Sequence, residues 1–66
     1  MLISERIFMI MEEKGISQLD LSANTGIAQS TISDWKRKKT NPQADKIMKI
    51  CATLGVKPEE LLQDTI

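Results

Sequence analysis

Apolar residues recur along the chain at helical spacing, in short stripes cut by glycine or proline, and no stretch shows the two-residue alternation of a half-buried strand. In Ile3 to Lys14 the positions Ile3, Ile7, Ile10 and Met11 fall within one narrow arc, a single core-facing stripe, and Gly15 ends that helix. Ser17 is a strong N-cap residue, and Asp20 three residues on completes a capping box with the shorter acid. A second helix over 18–24 is therefore predicted, with Leu21 facing inward. Thr25-Gly26 stops it, because glycine can take the positive φ that a tight turn between helices demands. A third helix is predicted over 29–37, where Ile32 and Trp35 form its buried pair and the other faces are polar. Asn41-Pro42 marks a turn. A fourth helix over 43–54 carries Ile47, Ile50, Cys51 and Leu54 at i, i+3, i+4 and i+7 and is closed by Gly55. Pro58, followed by Glu59 and Glu60 near the positive helix end, starts a short fifth helix over 58–63 with Leu61 and Leu62. The expected fold is all-α, a five-helix bundle in one domain over 1–66.

Composition narrows the chemistry. At 66 residues the chain is near the lower size at which a core folds without staples; one cysteine makes no internal disulfide, and without histidine there is no Cys/His zinc cluster. Packing must carry the fold. No apolar run approaches the roughly 18 residues of a membrane span, and Met1 to Met11 lacks the basic leader and cleavage site of a signal peptide, so no membrane association and a cytoplasmic location are expected. With no Gly-rich phosphate loop, no histidine and Cys51 inside an apolar stripe, the expectation is a binding protein, not an enzyme, with no cofactor and no metal. The formal net charge of zero conceals a segregation: residues 1–34 are net −3, residues 35–50 net +5, and the last sixteen net −2. The basic stretch holds Lys36, Arg37, Lys38 and Lys39 in a row, with Lys46 and Lys49 read as solvated helix residues.

Gln18, Leu21, Gly26, Ile32 and Trp35 together describe a helix of two turns, a glycine turn, and a second helix that is apolar on one face only. That is the layout of a helix-turn-helix. A major groove about 12 Å wide admits one protruding helix, which must be anchored from behind and polar in front. Ile32 and Trp35 would anchor, while Gln29, Ser30, Ser33 and Asp34 would face outward; the basic tetrad directly follows, where the helix end approaches the sugar-phosphate backbone.

The run Ile16-Ser17-Gln18-x-x-Leu21-Ser22-x-x-Thr25-Gly26-Ile27-x-x-x-Thr31-Ile32-Ser33-x-Trp35, then Asn41-Pro42 and Leu54-Gly55-Val56-x-Pro58-x-x-Leu61-Leu62, resembles the phage repressor and Cro family of XRE-type regulators. The resemblance covers nearly the whole chain. It implies a lambda-repressor-like bundle and a sequence-specific transcriptional regulator, a repressor, that binds double-stranded DNA as a homodimer with its recognition helices in successive major grooves. It also implies base contacts from Gln29 and Ser30 and a backbone contact from Gln18; by their places along and after the third helix, Ala28, Ser33 and Asp34 are further candidates for base contact, and Thr31, Lys36, Arg37, Lys38 and Lys39 for backbone contact. Gln18 would in addition brace the recognition helix. Gln29 can pair bidentately with adenine, and Asp34 either accepts from cytosine N4 or repels nearby phosphates.

Three positions depart from the family pattern. Ala28 stands where Ser or Thr would cap the third helix, which costs about 1 kcal/mol unless Thr25 or water substitutes; its methyl could instead meet a thymine methyl. Lys38 replaces the glycine that follows the helix, so the turn uses another residue or places a lysine in the left-handed region. Met11 and Lys36 replace an arginine–glutamate pair, which frees Lys36 to face DNA. The competing reading is a protein-interaction module of the same fold, such as an antitoxin or anti-repressor partner, acting through Leu2, Phe8 and Met9 on the first helix with Leu62 and Ile66.

Overall fold

The computed structural model describes residues 2–63. Among these it contains five helices and no strand: α1 (Ile3–Lys14), α2 (Gln18–Thr25), α3 (Gln29–Lys38), α4 (Ala44–Leu54) and α5 (Pro58–Leu62). The predicted all-α bundle is the observed one. Boundaries move by one residue: α2 takes in Thr25 and α3 takes in Lys38, while Gln43 is the extended N-cap of α4 and Gln63 lies beyond α5.

Local chemistry explains most ends. Gly15, Gly26 and Gly55 all sit in the left-handed region and close α1, α2 and α4. Ser17 Oγ accepts from the Asp20 amide at 3.0 Å and the Ser17 amide donates to the Asp20 carboxylate at 3.3 Å, the reciprocal cap read from the sequence. At α1 the Leu2 amide donates to Glu5 Oε1 at 2.7 Å, half of the same arrangement.

The stripes converge on one core of Ile7, Ile10, Met11, Leu21, Ile32, Trp35, Ile50, Cys51, Leu54 and Leu61, to which the turn residue Ile27 adds itself. Ile3, Phe8, Ile16, Ile47 and Val56 pack around its edge, partly buried. Burial pushes the Cys51 thiol above its ordinary pKa, which favours an inert, protonated side chain. α1 lies against α3, α4 and α5, and α2 against α3 and α4. α3 rests on α1 and α2 and, among the described residues, on neither α4 nor α5. Its position at the margin leaves a whole side of α3 uncovered by the other described residues. No helix among the described residues is long and apolar enough to cross a membrane.

Candidate nucleic-acid interface

Hydroxyl groups of α2 hold the turn that leads into α3. Ser22 Oγ donates to the Ile27 carbonyl at 2.6 Å, and Thr25 Oγ1 donates to the Leu21 carbonyl at 2.6 Å while accepting from the Ile27 amide at 3.2 Å. Thr25 therefore secures the turn and does not substitute as a cap for α3. With Ile27 itself buried, the path from Gly26 to Ala28 is fixed on both sides. Neither Ser22 nor the hydroxyl role of Thr25 was singled out from the sequence; the available signal was two hydroxyl residues in the last turn of a helix, where such side chains bond backbone groups locally.

Ile32 and Trp35 are 0% and 5% exposed and seat α3 on the core, as the spacing predicted. Ala28, Gln29, Ser30, Thr31 and Ser33 are exposed, and Asp34 is half-exposed. Ser33 Oγ donates to Gln18 Oε1 at 2.7 Å, which ties the middle of α3 to the start of α2. That bond uses the only proton of Ser33, so toward a further partner this hydroxyl can only accept, while the Gln18 amide still has NH groups to donate.

Ala28 caps α3 with no side-chain bond; its carbonyl accepts from the Thr31 and Ile32 amides at 3.0 and 3.2 Å. At the other end the helix runs through Lys38, and Lys39 takes the left-handed conformation with φ 55°, the only non-glycine among the described residues with positive φ. The family glycine position is thus helical, and the strained turn falls one residue later, on another lysine. Beyond it Asn41 Oδ1 accepts from the buried Ser4 amide at 3.2 Å and Pro42 is buried, so the loop after α3 is fastened to the start of α1. Asn41-Pro42 was legible as a turn, but the Asn41 latch was not, since its partner lies 37 residues away.

The basic tetrad does not project as one cluster. Lys36 Nζ lies 5.7 Å from the centre of the Phe8 ring, on the α1 edge of α3. Arg37 forms an ion pair with Asp34, and Lys38 Nζ is 3.8 Å from the other Asp34 oxygen. An acid followed by cations at i+3 and i+4 on a helix signals this pairing, which the reading of Asp34 as a lone acid overlooked. Helical spacing puts Arg37 in one row with Ser33 and Ser30, four and seven residues earlier, on the side away from Ile32 and Trp35. Lys36 and Lys38 stand on opposite edges of that row.

The expected partner surface on α1 is broken up. Leu2 and Phe8 are half-buried, Phe8 packs against the core beneath Lys36, and Met9 is exposed at 39%. Leu62 is exposed at α5, and Ile66 lies outside the described residues. Leu19 and Met48, each 64% exposed, are larger apolar exposures that spacing did not reveal.

The structure superimposes on the solution structure of the DNA-binding domain of the P22 c2 repressor with a TM-score of 0.84, at 28% identity, covering 97% of this chain and 84% of that one. It superimposes on the crystal structure of the P22 c2 repressor in complex with synthetic operator 9T with a TM-score of 0.78, at 28% identity and 96% coverage of both chains. In sequence it is 28% identical over 64 residues to the uncharacterized HTH-type transcriptional regulator y4dJ of Sinorhizobium fredii, covering 97% of this chain and 83% of the relative. It is 27% identical over 63 residues to the HTH-type transcriptional regulator DdrOP3 of Deinococcus deserti, covering 96% of this chain and 49% of the relative, about half its length. Residues 6–65 match the model of the Cro/C1-type HTH DNA-binding domain, a span that takes in the capped α2, the hydroxyl-fastened turn and the exposed row of α3. By that match, and by a fold shared almost end to end with a repressor solved on its operator, the chain belongs to the Cro/C1-type helix-turn-helix DNA-binding domain family.

Proposed function

We propose that this chain is a sequence-specific transcriptional repressor that binds double-stranded DNA, inserting α3 into the major groove. The observation that carries the reading is α3 itself: anchored from behind by Ile32 and Trp35, braced to α2 through Ser33 and Gln18, and uncovered in front. Gln29 and Ser30 lead the exposed side and would meet base edges, Gln29 with the amide geometry that matches adenine. Gln18, with amide protons still to donate, would bind a phosphate beside the groove. Lys36, Lys38 and Lys39 would meet the backbone on either side of the helix. Two copies on a palindromic site would place their α3 helices about one DNA turn apart.

The test is titration against a random-sequence duplex at two salt concentrations. Each phosphate neutralised contributes about 0.9 to the slope of log affinity against log salt, so three lysines account for a loss of roughly 40-fold when salt rises fourfold. Replacing Lys36, Lys38 and Lys39 by glutamine should remove up to that part of the slope. Wild-type protein that binds no duplex at low salt would reject the reading.

A further inference from the structure

We infer that Arg37 is a base-reading residue, held in position by Asp34, and that it directs α3 toward a guanine near the end of each half-site. The inference rests on the DNA-binding reading above and reassigns a residue that the place of the basic tetrad after the third helix puts on the phosphate backbone.

The first ground is position. A helix lying in the major groove has phosphate walls on its two sides and base edges in front. Arg37 shares the front row with Ser30 and Ser33, whereas Lys36 leans toward Phe8 on one edge and Lys38 lies on the other. The lysines at the edges are therefore set for the walls, and the arginine between them for the floor. The second ground is chemistry. A guanidinium offers five donors in a planar fork that fits guanine O6 and N7, a pairing a lysine ammonium cannot imitate with the same geometry.

The third ground is Asp34. Its carboxylate is bound to Arg37 Nη2, with Lys38 at 3.8 Å, on side chains whose exposures are 72% for Arg37 and 36% for Asp34. An exposed pair of this kind adds little to stability. What it does is restrict the rotamers of a long side chain before docking, while leaving the remaining guanidinium donors for a base. Asp34 acts through Arg37 and is a positioning residue. The pairing also accounts for an acid on the face of a helix that approaches a polyanion: two cations offset its charge.

Selection from a randomised duplex pool, with salt titrations of the selected sites, tests the inference. Wild-type protein should select a guanine at one position of each half-site. Arg37→Ala should lose that preference, by about 5- to 150-fold in discrimination, the range of one bidentate base contact, while Arg37→Lys should keep the salt slope and discriminate less sharply. Asp34→Asn should bind random duplex no more weakly than wild type but discriminate less at the same position. All these side chains are on the surface, and helical circular dichroism should match wild type.

Recovery of the same guanine by Arg37→Ala, with every sequence weakened alike and the salt slope lowered by about 0.9, would make Arg37 a backbone contact and overturn the inference. Undiminished discrimination in Asp34→Asn would remove the positioning role. Wild-type protein that binds duplex and selects a site without that guanine rejects the inference alone, whereas failure to bind any duplex rejects the DNA-binding reading and the inference with it.

Discussion

α2 turns its polar side chains onto the protein: Ser17 and Asp20 close its first turn, Asn24 donates to the Asp20 carbonyl at 2.8 Å, and Ser22 and Thr25 fasten the turn that follows. α3, which starts after a turn of three residues, begins without a side-chain cap, ends on a lysine in the left-handed region, and among the described residues forms one side-chain hydrogen bond to another helix, from the Ser33 hydroxyl. The contrast assigns the two helices different tasks. α2 is a scaffold whose polar side chains bond to its own backbone and to the turn that follows, whereas α3 leaves Gln29, Ser30 and Thr31 exposed and depends on Ile32 and Trp35 to stay seated.

Removing the anchor should break the contrast most severely. Ile32→Ala, at a position with no exposure, should cost about 2–5 kcal/mol in urea unfolding. In a domain this small that is a large share of the total. Next comes the scaffold cap: Ser17→Ala should destabilise by about 1 kcal/mol and lower the melting temperature by roughly 4–8 °C. The converse changes sharpen the comparison with smaller gains at the two ends of α3. Ala28→Ser should add about 0.5–1 kcal/mol by supplying the missing cap, and Lys39→Gly about 0.5 kcal/mol by relieving the left-handed lysine, less the extra chain entropy of glycine. No gain from either, in the same thermal melts, would mean that the ends of α3 are already satisfied and that the two helices do not differ as described.

By itself the sequence determined the five helices, their stripes and the helix-turn-helix, because caps, glycine stops and 3.6-residue spacing act within a few residues. Ser17 with Asp20, Gly26, and Ile32 with Trp35 could all be placed that way. The Asp34 pairing with Arg37 was local as well, and was missed because the tetrad was read as one block of charge. Only the tertiary structure decided the rest. It put the left-handed turn after α3 on Lys39, drew Lys36 over Phe8 of α1, buried part of an expected apolar face, and fastened Asn41 to Ser4 across 37 residues. These outcomes depend on which helices meet and at what angle, and the energy of each contact belongs to pairs of residues far apart in the chain, where no local pattern records it.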